Sequence, residues 1–373
     1  MFRPVIQSTP VLVGMALFNI LMFVIASHSQ ITVKSRGYDL KLQAADQMLQ
    51  AMETLKNYRI GSDGIFIDST NDPNETALIG VQFGPITTDE GDLDAKLTTL
   101  NPNFAALVVD MFVNLDLQAG DTIAVSLTGS MPGANLAVLS ACRVMEVTPV
   151  IITSVGASQW GANDPYFTWL DMESVLINQG IFPYQSVAAS IGGKGDVGKG
   201  VSLYGRELLW ESIYRNNIPL IQEESLVAAI DKRMQIYNEY RPIPDYSALI
   251  NIGGGASNIG PSINSRLIPD GISYPEGLTK LSGQSVVREF SRKGVPVVHI
   301  LDIRNISRIF QIPWAPIPTP LVGEGSLYST QQYSYWITLI CLIFASGSVI
   351  GVGIYSHKQI KERMATYEPD SIL

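Results

Sequence analysis

The chain has 373 residues, 46% of them hydrophobic and only 16% charged, with a formal net charge of −9. Setting aside Arg3 at the head and Lys358, Lys361, Glu362, Arg363, Glu368 and Asp370 in the tail leaves 21 basic and 31 acidic residues, so the middle carries about −10. That balance argues against nucleic acid as a partner and against a broad electrostatic grip on any polyanion; a local site of backbone amides stays open. The two cysteines, Cys142 and Cys341, leave no disulfide within a folded middle domain and no thiolate metal site.

From Pro4 to Gln30 there is no formal charge, and Val11–Ala26 is almost wholly apolar. This predicts a transmembrane signal anchor over residues 1–30. A cleaved signal peptide is the alternative, but the apolar stretch is long for one and Ala26-Ser27-His28 is a poor cleavage site. At the other end, Trp336–Tyr355 is uncharged and long enough to cross about 30 Å of hydrocarbon. Tyr333, Tyr335 and Trp336 form an aromatic belt before it, and Lys358, Lys361 and Arg363 follow. The positive-inside rule then predicts a two-span cell-membrane protein, in contact with lipid, with both termini cytoplasmic and the main domain outside. Gly347 and Gly351, with Ser348 and Gly353, form a small-residue face on which a helix could pack closely: the first span or another membrane protein. The bland reading is that glycine is common in such helices.

Between the ends, Tyr38, Leu42, Ala45, Leu49 and Met52 make residues 35–56 an amphipathic helix, a stalk or a cover for the main domain. The rest of 31–100 is loop-rich, with short apolar runs at Ile65–Ile67 and Leu78–Val81 that read as one or two strands. From residue 101 to 310 short buried runs (122–127, 149–155, 186–191, 247–252, 296–301) alternate with helices (104–117, one ending near Met145, 166–178, 203–216, 223–240, 284–293). That alternation predicts an α/β fold with a Rossmann-like parallel sheet, either one domain or two linked halves. Residues 311–332, rich in proline and glycine, read as an extended linker to the second span at 333–357, with a cytoplasmic tail over 358–373.

Three glycine-rich turns follow predicted strands: SLTGSMPG (126–133), SIGGKGDVGKG (190–200) and NIGGGASNIG (251–260). In a parallel sheet such turns open at the carboxyl edge, where ligands bind and where backbone amides and helix N-termini favour anions. The candidate ligand-binding residues are therefore Ser126, Thr128, Gly129, Ser130 and Gly133 in the first turn. The second supplies Gly192, Gly193, Asp196 and Gly198, and the third Gly253, Gly254, Gly255 and Asn258. The competing reading is that these glycines only serve tight connections.

Catalytic signatures are sparse. GKGDVGKG ends in Gly200 where a phosphate-binding loop needs Ser or Thr on magnesium, which excludes that motif. His299 lies in an apolar strand, as a core histidine would. Thr128 and Pro132 stand where a nucleophile elbow has glycines around Ser130. Asp164, Asp171 and Asp196 are carboxylates without metal-ligand spacing, so no metal or cofactor is expected. Asp196, flanked by glycines, is the acid to test as a base or an orienting group.

The stretch AGDTIAVSLTGSMPG with the following helix and TPVIITSVGAS resembles the SIS-type sugar isomerase fold, whose Ser/Thr/Gly turn holds a sugar phosphate. Over the whole chain, the terminal anchor, AGDTIAVSLTGSMPGANLAVLSACRVMEVTPVIITSVGASQWGANDP, ASIGGKGDVGKG and INIGGGASNIG are similar to the poly-γ-glutamate system protein family. That resemblance implies a bacterial cell-envelope or capsule protein that accompanies the synthase and export membrane subunits of poly-γ-glutamate. It transfers no catalytic residue. Two functions follow as expectations: a component that binds the polymer or its building unit or scaffolds the complex, homo-oligomers included; or an extracytoplasmic hydrolase or transferase acting on the polymer or a sugar-containing substrate.

Overall fold

The computed structural model describes residues 9–63 and 67–365, which fall into two compact units. The first is built from both ends of the chain: α1 (Thr9–Ser27), β1 (Gln30–Lys34), β8 (Ser329–Tyr333) and α12 (Tyr335–Ala365). Both helices are long and apolar enough to cross a membrane, with mean hydropathies of 2.2 and 2.3. They pack together, and Asn19 Nδ2 donates to Ser348 Oγ across the pair (3.2 Å). β1 and β8 pair antiparallel, Gln30 opposite Tyr333. A side chain added at Gly347 or Gly351 would meet nothing within 4 Å, so of the small residues expected to form one face it is Ser348 that meets α1. Arg3 lies outside the described residues.

The second unit, Ser35–Tyr328, is a mixed α/β body. It opens with α2 (Tyr38–Asp63), α3 (Leu93–Thr99) and α4 (Asn103–Asn114). Strands and helices then alternate: β2 (Thr122–Thr128), α5 (Pro132–Met145), β3 (Thr148–Ser154), α6 (Trp169–Asn178), β4 (Ala188–Ser190), α7 (Leu203–Arg215), α8 (Leu226–Tyr240) and β5 (Ala248–Ile252). The unit closes with α9 (Ala256–Ile259), β6 (Gly271–Ser273), α10 (Val286–Arg292), β7 (Val297–Ile300) and α11 (Ile303–Phe310). Helix starts follow local chemistry: Pro132 presets the first turn of α5, and Ser202 and Ser225 cap α7 and α8 by accepting from the N–H groups of Gly205 and Ala228.

The sheet runs β4-β3-β2-β5-β7-β6, parallel except for β6 at the edge. The chain moves outward from β2 to β4, then returns past β2 to β5 and β7, so its direction of progress reverses between β2 and β5. Both faces are covered, which is why the strands read as continuous apolar runs. Ile123, Val125 and Leu127 join the core beneath α2, α4, α5 and α6; Ala124, Leu249 and Val297 join a second core with α8 and α10.

Of the two roles expected of the amphipathic helix, the structure shows the cover: Ala44, Met48, Ala51 and Leu55 of α2 are fully buried in the core shared with α4 and α5. The segment expected as an extended linker, 311–332, is lashed to the α/β body up to Tyr328. Ala315 N–H donates to Thr98 Oγ1 (2.8 Å), Asn74 Nδ2 to Pro316 O (2.9 Å), and the buried Tyr328 hydroxyl to Asn103 Oδ1. The α/β unit therefore extends well beyond 101–310, because α2 and residues 311–328 cover apolar surface that α4 and α5 would otherwise expose. Leu78–Val81 is not a strand; Asn163 holds it instead, pairing with both the N–H and the carbonyl of Val81. Ile65 and Phe66 lie outside the described residues.

Candidate functional site

All five parallel strands end on one cavity of about 490 Å³. Each strand contributes the residues just past its carboxyl end. β2 gives Thr128, Ser130 and Met131; β3 gives Ser154, Gly156 and Ser158; β4 gives Gly192, Gly193, Lys194 and Asp196. β5 gives Gly253, Gly254 and Gly255, and β7 gives Leu301, Asp302 and Arg304. The loop of residues 88–92 and the start of α3 close the remaining side with Asp89, Glu90, Asp92 and Lys96.

The three glycine turns thus share one pocket, and eight of the thirteen predicted residues line it: Thr128, Ser130, Gly192, Gly193, Asp196, Gly253, Gly254 and Gly255. The other five do not. The Ser126 hydroxyl lies 3.1 Å from the Tyr237 hydroxyl inside the core beneath α8. Gly129 and Gly133 serve close packing: an added Cβ would lie 2.3 Å from the Val155 carbonyl oxygen or 2.5 Å from that of Thr99. Gly198 faces Arg206 and Ile191, and Asn258 is buried behind the third turn, 3.2 Å from where a Gly255 Cβ would sit. Gly253 needs to be glycine twice over. Its φ is +85°, and a Cβ would come within 2.5 Å of Thr128 Oγ1.

Two features of the first turn suit an anion. α5 begins just past Met131 on the cavity wall with no side chain capping it, so the positive end of its dipole lies beside that wall. Beside it Thr128 is 4% exposed, and its hydroxyl has no hydrogen-bond partner among the described residues. A buried hydroxyl left so is unfavourable unless a ligand or solvent completes it.

Asp196 is committed elsewhere. Its Oδ2 accepts from Arg233 (2.9 Å) and its Oδ1 from the Ser190 hydroxyl (2.7 Å), and the same Arg233 nitrogen reaches Ser154 Oγ and Ser190 Oγ. Both charged side chains are essentially buried, at 0% and 2% exposure. Asp196 also sits at φ +62°, so this contact fixes a left-handed bend in the second turn. The expected role as a base gives way to an anchoring one. His299 is buried, and burial pushes its imidazole down to about 4. It is neutral at pH 7 and takes a hydrogen bond from Asn251 Nδ2 (2.9 Å), away from the cavity wall.

Lys96 and Ser158 carry chemistry that sequence reasoning missed. Lys96 is 3% exposed, yet it lines the cavity, and its Nζ lies 2.9 Å from Ser158 Oγ. Burial pushes the ammonium down to about 8, with nearby Asp92 pulling it back up. The Ser158 N–H donates to Ser130 Oγ (3.0 Å), which places Ser158 next to the start of α5. A lone lysine in a loop-rich segment gives no signal. Ser158 could have been found, because β3 is also parallel and its turn must open on the same edge.

No family model matches the chain, and no curated protein or solved structure is significantly similar to it. Among the described residues no three His, Cys, Asp or Glu side chains group as metal ligands. A second concavity of about 750 Å³, lined by Tyr58, Phe167 and Arg215, offers less chemistry. Its charged groups are already paired, Arg215 with Asp171 and neighbouring Arg59 with Asp164.

Proposed function

We propose that this protein is a membrane-anchored, extracytoplasmic component of a poly-γ-glutamate synthesis and export system, acting beside its synthase and membrane subunits. Its Rossmann-like domain binds a carboxylate-bearing unit of the polymer at the strand-end cavity. The observation that carries the binding reading is the uncapped N-terminus of α5 beside the unpartnered, buried Thr128 hydroxyl, at the point where the sheet's order reverses. The acidic residues Asp89, Glu90 and Asp92 lining the same cavity favour a ligand with an ammonium group as well. A chain end of γ-linked glutamate has both charges, whereas the polyanionic middle of the polymer would be repelled. The system assignment itself rests on the motif resemblance and on the two apolar helices.

The test is titration of γ-linked triglutamate into the full chain in lipid nanodiscs. Saturable binding that N-acetylation of the ligand weakens supports the reading. Equal binding of orthophosphate, or none of the triglutamate, overturns it. Protease protection in intact cells checks the orientation: cleavage of the 35–328 unit from outside is expected. A second reading, an extracytoplasmic enzyme, is favoured by one specific contact, that of Lys96 with Ser158.

A further inference from the structure

We propose that Ser158 is a nucleophile and Lys96 its general base, so that the cavity cleaves or transfers an amide-linked acyl group. The inference names a reaction for the cavity described above and rests on that cavity being a ligand site.

The geometry carries it. A serine is activated when a base lies within hydrogen-bond reach of its hydroxyl, and the 2.9 Å Lys96–Ser158 contact meets that condition. Lysine serves as a base only when it spends time neutral, which requires burial without a full ion pair. Lys96 is buried, and among the described residues its ammonium bonds Ser158 alone. It therefore differs from Lys41, which is also buried but bonds Asp110, Ser35 and the Leu327 carbonyl. Both Lys96 and Ser158 open on the cavity, and the Ser158 N–H donates to Ser130 Oγ, so the nucleophile sits beside the start of α5.

The step balances without a cofactor. Neutral Lys96 Nζ takes the proton from Ser158 Oγ as the oxygen's electron pair bonds to the amide carbon. Collapse of the tetrahedral intermediate breaks the C–N bond, and Nζ returns that proton to the leaving nitrogen. Water then cleaves the acyl-serine ester, its proton passing through Nζ back to Ser158 Oγ. An amine in place of water would make the reaction a transfer.

The experiment treats the full chain in detergent with two serine-directed reagents, phenylmethylsulfonyl fluoride and an alkyl fluorophosphonate, and maps the adduct by peptide mass. One adduct on Ser158 is expected, forming at a rate that rises with pH and is half-maximal near 8. Burial sets this midpoint and Asp92 beside Lys96 opposes it; the other charged groups lining the cavity are Asp89 and Glu90 on the same side as Lys96, and Asp302, Arg304 and Lys194. Lys96→Arg keeps the charge but not the base, and should slow labelling about 100-fold or more. Lys96→Met, with its melting temperature recorded, guards against a misfolded arginine variant. An adduct on Ser130 or elsewhere, no adduct with either reagent at pH 9, or an unchanged rate in a folded Lys96 variant overturns the proposal. None of these readouts needs a carboxylate ligand, so this idea and the binding reading can fail separately.

Discussion

Arg233 and Lys96 are both buried cations near the same rim of the sheet, Lys96 lining the cavity and Arg233 behind the Asp196 turn, and their surroundings differ. Arg233 has a carboxylate and two hydroxyls within hydrogen-bond distance, all on its NH2 group. Lys96 has one hydroxyl. A buried charge paired with an opposite one serves as a fastener, and Arg233 does so through its NH2 group alone, its Nε and NH1 finding no partner among the described residues; a buried charge with a single neutral partner is driven towards losing its charge. The β4 wall is therefore built for shape and the α3 wall for reactivity. Sequence reasoning singled out Asp196 as the acid to test, because a carboxylate among glycines looks exposed until its partner, contributed by α8, is seen.

The comparison breaks most visibly at Asp196. Asparagine tolerates the left-handed backbone there, so Asp196→Asn removes the charge with little added strain. It leaves Arg233 buried without an anion, and the expected loss of stability is about 3–5 kcal/mol, read by chemical denaturation of the full chain. Combining it with Arg233→Met should restore most of that loss. If Asp196→Asn alone costs under about 1 kcal/mol, the fastener reading is wrong.

Glu173 is the intermediate case, a buried carboxylate with hydrogen bonds but no cation paired with it among the described residues. It accepts from Trp169 Nε1 (2.7 Å), from the Ser186 hydroxyl (2.8 Å) and from the Ser186 N–H (3.0 Å). Burial nevertheless pushes it up to about 7 from an ordinary 4.5, the hydrogen bonds opposing. A raised folded value means the folded chain holds a proton the unfolded chain has released. Its stabilising contribution is full below about pH 4.5 and is lost as pH rises through 7. His299 acts in the opposite sense, its contribution disappearing as pH falls from 6.5 through 4. Glu173→Gln keeps the oxygen that serves Trp169 and the Ser186 hydroxyl. Its melting temperature, measured against wild type from pH 4.5 to 8, should show a relative gain that grows with pH. A constant difference would remove Glu173 from the account.

The contrast between the two walls also explains what could be seen without coordinates. Strand runs such as 122–127 and 247–252 are mostly apolar on both faces because helices cover both, and this made the sheet readable. The glycines at 192–193 and 253–255 marked the edge because a backbone that bends sharply against its neighbours needs them. Strand order was not readable, since nothing in residues 188–190 records that they pair with β3 and not with β5. Nor was the fourth wall: residues 88–96 are mostly polar, and non-local contacts such as the bridge from Thr87 to Ala157, the Thr88 N–H bond to the Ala157 carbonyl and the Gln159 N–H bond to the Asp89 carbonyl bring them over β3. A lysine acquires a lowered pKa from such non-local packing, which local periodicity does not encode. The packing of 311–328 was missed because proline and glycine content reports stiffness and turns, not contacts.

Lys96→Met sharpens the comparison from the other side. The change replaces a buried, singly bonded ammonium with a flexible apolar side chain of similar length, and removes the cost of keeping a charge out of water. At pH 7 its stability should stay within about 1 kcal/mol of wild type or rise, in contrast to Asp196→Asn. A loss of about 3 kcal/mol or more would make Lys96 a second fastener and weaken its case as a base.

The smallest expected effect on stability, and the most informative for binding, is that of Thr128→Val. Valine keeps the β-branched shape and deletes only a hydroxyl that is buried and unpartnered among the described residues. Removing such a group is neutral or stabilises by roughly 1 kcal/mol, because no hydrogen bond is broken within the protein and a dehydrated polar atom disappears. If that hydroxyl donates to a ligand carboxylate, the variant loses a charge-assisted hydrogen bond, and affinity for γ-linked triglutamate falls by about 1.5–3 kcal/mol, tenfold or more. Calorimetric titration beside a thermal melt separates the two. A variant that is no less stable and binds more weakly puts the carboxylate at the start of α5; one that is destabilised with unchanged affinity puts the hydroxyl in the fold and the ligand elsewhere along the rim.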